Sequence, residues 1–296
     1  MIIFAMVMNA VCYFVSNIYQ NKFSESLADK KYPLPLFQEV WMGIAVIALL
    51  IIKLISGEFQ LSVDTLVIAA ISGIFAALSG MMLVLALGNG PMSLTILLFS
   101  INSVIPTILS LFLLNEKPTV FQIIGIILIL GIFILINFNK NDLGMQIKKK
   151  WFSYISLAVL FTGINLFCIK LQQNRHPNRE LIEYTVILYL SGMIITMICF
   201  VFLYRTEKDR KKINFNFQPS VFYLPAIIVA LMQVGAMLCS LYNSSRIPSI
   251  ILFPVTQLLT LMLTTIFSIV KLGERLNKKT IYCITASVIA IVIINL

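Results

Sequence analysis

Four polar residues, Asn9, Tyr13, Asn17 and Gln20, recur at spacings of 4, 4 and 3 along an otherwise apolar stretch near the start of the chain. On a helix that spacing puts them on one face. Amides and a phenol so arranged either join helices by hydrogen bonds or line a wet cavity. Ser16 lies beside the stripe. A thinner counterpart, Thr162, Asn165 and Lys170, occurs in a later apolar stretch, and Gln233 and Gln257 add single amides to two more. Asn9, Tyr13, Asn17, Asn165, Gln233 and Gln257 are therefore the candidates for holding a small polar molecule by hydrogen bonds.

Glu39 is the sharpest single residue. It follows Pro33 and Pro35 and precedes Trp41, and a helical rise of 1.5 Å per residue puts it about 7–8 Å into its apolar stretch. An acid beside an aromatic ring at that depth can exchange a proton, or attract an amine through charge and the ring quadrupole. The alternative is an interfacial carboxylate that stays solvated or pairs with Lys22, Lys30 or Lys31. Glu183 opens another apolar stretch beside Tyr184. It is shallower, so the interfacial reading weighs more there. Pro106 and Pro254 each remove a helix N–H inside an apolar stretch. They read either as the bends of a gate or as static kinks. Lys170 and Arg246 would favour an anion if they pointed inward.

The materials for enzymatic chemistry are thin. His176 is the one histidine, in the loop Asn174-Arg175-His176-Pro177, and Cys12, Cys168, Cys199, Cys239 and Cys283 are scattered with no CxxC. No hydrolase, metalloprotease or haem site can be assembled from these. No Gly-rich phosphate loop is present. The sequence calls for no catalytic residue, no metal and no cofactor.

The elements that must position the polar residues follow from composition. Of 296 residues, 59% are hydrophobic and 11% charged, with a mean hydropathy of +0.97. Soluble domains carry about 25% charge, so the solvent for most of this chain is lipid. The formal net charge of +10 sits in short runs between apolar segments. It reads as topogenic charge facing lipid headgroups, not as a nucleic-acid surface. Ten segments are long enough to cross about 30 Å of hydrocarbon. They are Ile2–Gln20, Leu34–Ile55, Leu66–Leu87, Met92–Leu114, Val120–Ile136, Trp151–Leu171, Ile182–Tyr204, Val221–Leu241, Ser249–Leu272 and Ile281–Ile294. Continuous apolar runs, rather than alternating ones, select helices over a barrel. The first run has no basic residues before it and no cleavage signal after it, and reads as a span rather than a leader.

The halves 1–140 and 141–296 resemble each other. Leu114-Asn115-Glu116-Lys117-Pro118 follows the fourth span and Leu272-Gly273-Glu274-Arg275-Leu276 the ninth, the glutamates lying 158 residues apart. Gly90-Pro91 opens the fourth span and Ile247-Pro248 the ninth, the prolines lying 157 apart. Five spans per half would set the repeats inverted in the bilayer, with a substrate site between them near the midplane. Glu39 and Glu183 would then lie near opposite faces, as paired gates or proton sites require.

On these features the sequence resembles the ten-helix, EamA-like branch of the drug/metabolite transporter superfamily. Asn115 stands where the family usually has Gly. The resemblance implies an all-α fold of two inverted five-helix repeats and alternating-access secondary transport. Its cavity would be lined by the first four helices of each half, and its substrate would be a small metabolite whose class the family does not fix; Glu39 and the aromatic residues lean toward an amine or amino acid. It leaves open proton coupling or exchange. The partners it implies are a small-molecule substrate and the bilayer, with the chain working as a monomer or homodimer in the cytoplasmic membrane. A non-transporting partner subunit and a membrane-embedded enzyme acting on lipid-linked groups are the competing readings. The first lacks a reason for the Asn9–Gln20 stripe, and the second lacks acid or histidine clusters at the surface.

Loops after odd-numbered spans hold 16 of the 22 Lys and Arg residues. The positive-inside rule places those loops in the cytoplasm and both termini outside, whereas the family resemblance implies cytoplasmic termini.

Overall fold

A computed structural model describes residues 2–26, 33–57, 59–114, 119–121, 123–125, 127–128, 149–206, 219–273, 282, 285–286 and 289. The helices are α1 (Ile2–Ser26), α2 (Pro33–Ser56), α3 (Val63–Leu87), α4 (Met92–Phe99), α5 (Val104–Leu113), α6 (Lys149–Arg175), α7 (Leu181–Thr206), α8 (Tyr223–Ser244) and α9 (Ser249–Lys271). With α4 and α5 counted as one span, eight among the described residues are long and apolar enough to cross a membrane. The sequence-predicted segments at 120–136 and 281–294 fall largely outside the described residues, as do the acid–base turns at 115–118 and 274–276 and Cys283. α1 runs six residues past the predicted end at Gln20.

Local chemistry explains several boundaries. Pro33 opens α2, where a missing N–H costs nothing. Gly57, at φ +128°, ends α2 with its N–H on the Lys53 carbonyl. Ser62 caps α3 by accepting from the Thr65 N–H at 3.2 Å. Pro91 and Pro248 stand at the N-caps of α4 and α9.

Pro106 and Pro254 behave differently. Before Pro106 the helix tightens into a 3-10 turn, Ser100–Ser103, separating α4 from α5. The proline ring crowds the preceding turn and leaves the Asn102 carbonyl without its i+4 donor. α9 runs uninterrupted through Pro254.

The two halves of the chain interleave. α3 packs against α6 and α7, α1 against α8 and α9, α2 against α7 and α8, and α9 against α4 and α5. Both apolar clusters draw on both halves. One holds Phe37, Trp41, Ala77, Tyr184, Val229 and Leu252; the other Leu98, Trp151, Ile155 and Leu261. The closest approach is at Gly73 on α3, where a Cβ would lie 2.1 Å from the Leu188 carbonyl oxygen and 2.0 Å from Ser191 Oγ on α7. The outer faces are apolar: Leu54, Ile55, Phe112, Ile194 and Val270 are exposed, the surface a bilayer covers.

Candidate functional site

A cavity of about 90 Å³ lies between the halves, its walls contributed by α1, α2, α3, α4, α6, α7, α8 and α9. Six of the sequence-predicted residues line it: Tyr13, Asn17, Trp41, Asn165, Gln233 and Gln257. At that volume it admits a small polar molecule or a few waters, well short of the 300–1,000 Å³ of drug-sized pockets.

Hydrogen bonds fix the walls. On α1, Ser16 Oγ accepts from Gln20 Nε2 at 2.9 Å and from Gln233 Nε2 of α8 at 3.0 Å. The Gln20 side-chain oxygen is left buried without a partner among the described residues. On α2, Trp41 Nε1 donates to Gln38 Oε1 at 2.7 Å, and the indole meets the Tyr189 ring edge-on at 5.4 Å. The Tyr189 hydroxyl also lacks a partner among the described residues. On the α3–α6 side, Tyr184 donates to Ser72 at 2.7 Å, and Ser72 donates to Asn165 Oδ1 at 2.6 Å. Ser79 pairs with Thr162. Gln257 and Thr260 close the α9 wall. Among the described residues every polar lining group is an amide, a hydroxyl or an indole, and none of the lining residues carries a formal charge.

Two predicted residues lie elsewhere. Asn9 belongs to the α1–α8 seam, where its Nδ2 donates to the Ala236 carbonyl at 2.9 Å and Ser240 Oγ at 2.6 Å. It is one turn or more beyond the cavity-lining part of the stripe. Glu39 faces α7, where Thr196 Oγ1 donates to its Oε1 at 2.5 Å. Consecutive helical residues point about 100° apart, so Gln38 enters the cavity and Glu39 does not. Lys170 and Arg246 also stay out of it. The Lys170 ammonium donates to the Ser244 and Ile247 carbonyls at 3.0 and 2.8 Å, and Arg246 lies 3.6 Å over the Tyr242 ring. Gln38 and Ser79 were missed in the sequence reading. Gln38 sits three residues before Trp41 and thus on its face, a signal the neighbouring carboxylate obscured.

Glu183 lies in the first turn of α7, buried within the protein at 3% exposed. It forms an ion pair with Lys53, Nζ to Oε1 2.6 Å, and accepts from the Gln60 N–H at 3.3 Å. Lys53 is 14 residues beyond Glu39 on α2, about 21 Å at the helical rise, so Glu39 and Glu183 do lie toward opposite ends of that helix. Around the pair, a polar recess of about 580 Å³ takes in His176, Asn178, Arg179 and Glu180. Ser62 donates to Glu180 Oε2 through its hydroxyl at 2.8 Å and its N–H at 3.2 Å. Partial burial pushes the Glu180 carboxyl up, but hydrogen bonds from Thr65 and Ser62 and the nearby His176 outweigh it and hold it below the usual carboxylate range. Glu180 and Asn178 have φ of +56° and +55°, a conformation rare for residues with a side chain. No group of three or more His, Cys, Asp or Glu able to hold a metal occurs among the described residues.

No curated protein matches this chain. A solved crystal structure, described only as that of a protein, superposes with a TM-score of 0.65 over 97% of this chain and 98% of its own, at 11% identity. At that identity the likeness concerns the fold alone. The model of the EamA-like transporter family matches residues 1–138 and 149–296. With the chain matched almost end to end, its apolar helices crossing the membrane many times and its polar residues gathered between them, the protein belongs to the EamA-like transporter family.

Proposed function

We propose that this protein is a secondary transporter of the cytoplasmic membrane that moves a small polar metabolite of the amino acid or amine type by alternating access, the uncharged cavity favouring a neutral or zwitterionic solute over an ammonium ion. The observation that carries the reading is the cavity between the halves, lined by Tyr13, Asn17, Gln38, Asn165, Gln233 and Gln257 without a formal charge. Neutral hydrogen-bonding groups can hold a neutral or dipolar solute without the desolvation penalty of an uncompensated ion. An inorganic anion or a hard cation would find no counter-charge there. Gln20 Oε1 and the Tyr189 hydroxyl, unpartnered among the described residues, are the groups a bound solute would satisfy.

The reading includes ten helices in two inverted five-helix repeats, 1–140 and 141–296. The packing supports it. Exchanging α1 with α6, α2 with α7, α3 with α8, and α4–α5 with α9 turns each pair of packed helices into another packed pair: α1·α8 becomes α6·α3, and α3·α7 becomes α8·α2. A crossing count supports it too. Ser62 touches Glu180, so the loops after α2 and α6 share one membrane face. Three described spans separate them, an odd number, and the ten-span plan supplies the fourth crossing. Coupling to protons and solute exchange are the two driving modes this architecture serves, and the protein works as a monomer or homodimer.

The test is counterflow in liposomes reconstituted with purified protein and loaded in turn with neutral amino acids, amines, and organic anions. Saturable uptake of a neutral or zwitterionic solute that falls with Gln257→Leu and Tyr189→Phe would carry the proposal. Uptake of an organic anion alone, or uptake indifferent to both substitutions, would overturn it.

A further inference from the structure

A second concavity lies on the lipid side of the molecule, apart from the central cavity. Met193, Ile194, Met197, Ile198 and Val201 of α7 and Glu39 of α2 line a groove of about 530 Å³. Among the described residues Glu39 is its one polar lining residue. Ile194, Met197 and Ile198 are 63%, 52% and 59% exposed, so the groove opens to the hydrocarbon.

The depth of Glu39 decides what can occupy the groove. It lies about 8 Å from the middle of α2, and its partner Thr196 about 4 Å from the middle of α7, at the helical rise. Headgroups begin about 15 Å from the midplane. A phospholipid headgroup therefore does not reach this carboxylate. One oxygen, Oε1, accepts from Thr196; among the described residues the other has no protein partner. A carboxylate at that depth is costly unless something satisfies it. The neighbouring surface offers apolar contact, and its two methionines adapt to varied shapes.

We propose that the α2–α7 groove is a binding site for an amphiphilic ammonium dissolved in the membrane. Its cationic head pairs with Glu39 and its apolar body lies along Met193, Ile194, Met197, Ile198 and Val201. The charge selects the head and the depth selects a membrane-soluble tail. The site is separate from the central cavity and its ligand is of another class.

The experiment is saturation binding of radiolabelled dodecyltrimethylammonium to the full-length protein in phosphatidylcholine nanodiscs. Those lipids present quaternary ammonium headgroups in excess, so saturable binding separates a dissolved amphiphile from a headgroup. The expected result is saturable binding weakened at least tenfold by Glu39→Gln and by Ile198→Trp, which fills the groove without touching charge. Competition by unlabelled probe but not by dodecanol is also expected, with binding retained in Gln257→Leu. Ile198→Trp keeps the test decisive should the loss of the carboxylate impair folding. Equal binding in Glu39→Gln and Ile198→Trp, competition by dodecanol, or loss in Gln257→Leu would each overturn the proposal, the last by returning the ligand to the central cavity.

Discussion

Lys53 of α2 and Glu183 of α7 meet as an ion pair with Nζ 2.6 Å from Oε1, the lysine side chain 19% exposed and the carboxylate 4%. The pair joins a helix of the first half to one of the second at the end of the molecule where the loops after α2 and α6 also touch. Breaking a buried pair from one side strands the other charge, at about 3–5 kcal/mol for full burial. Lys53→Met should therefore lower the melting temperature in detergent more than the double variant Lys53→Met/Glu183→Gln. Equal losses in the two would mean that the pair is solvated and contributes little.

The cavity residues should separate from the packing residues in kinetics. Gln257→Leu or Gln20→Leu removes a hydrogen-bonding group from a buried polar site, a loss of about 1–3 kcal/mol, or roughly tenfold to a hundredfold in affinity. The expected outcome is a raised KM for uptake with a near-normal melting temperature. Asn9→Ala should do the reverse. It cuts the α1–α8 seam, costing about 1 kcal/mol of stability, and leaves KM unchanged. An altered KM in Asn9→Ala would return that residue to the site.

Gly73 and Gly43 should respond differently to alanine. At Gly73 the new Cβ would meet backbone at 2.1 Å, whereas at Gly43 its nearest neighbour is Met193 Cε at 3.8 Å. Overpacking costs about 1–3 kcal/mol where something can shift, and a carbonyl oxygen in the α3–α7 seam can shift little. Gly73→Ala should give poorly folded protein by size-exclusion chromatography, and Gly43→Ala a normal profile.

Glu180 should make the molecule acid-sensitive. Its carboxyl titrates below the usual range in the folded protein, because Thr65, Ser62 and His176 outweigh its partial burial. A folded pKa below the unfolded one gives stability that is complete above the unfolded value and is lost as pH falls through the folded value. A plot of melting temperature against pH should decline through the acidic carboxylate range, and the decline should be shallower in Glu180→Gln. Identical slopes would assign the acid sensitivity to other carboxylates.

Much of this was legible in the sequence because lipid imposes simple rules. Spans must be apolar, helical and about 20 residues long, so the eight described spans fall where hydropathy places them. The spacing of Asn9, Tyr13, Asn17 and Gln20 marked one helix face as either seam or cavity wall; Tyr13, Asn17 and Gln20 line the cavity and Asn9 holds the α1–α8 seam. Glu39 and Gln38 were less readable. Both are polar, adjacent and at the same depth, and only rotation about the α2 axis decides which one enters the cavity. That rotation is set by tertiary contacts, such as Trp41 against Tyr189, which local periodicity does not encode. The position of Glu183 at a helix start was legible, but its ion pair with Lys53, 130 residues away, is a tertiary contact that position alone does not give.

The near-contact of backbones at Gly73 and Leu188 bears on how such a molecule moves. Gly73 has no side chain, and the Leu188 carbonyl and the Ser191 hydroxyl of α7 fill the space a Cβ would take, so α3 and α7 have little slack between them and travel as one lever. In the alternating-access cycle proposed above, the motion that exposes the cavity to one face and then to the other has its fulcrum at this seam. Substitutions beside it that leave the fold intact should change the rate of interconversion between the two openings more than the affinity for what is carried.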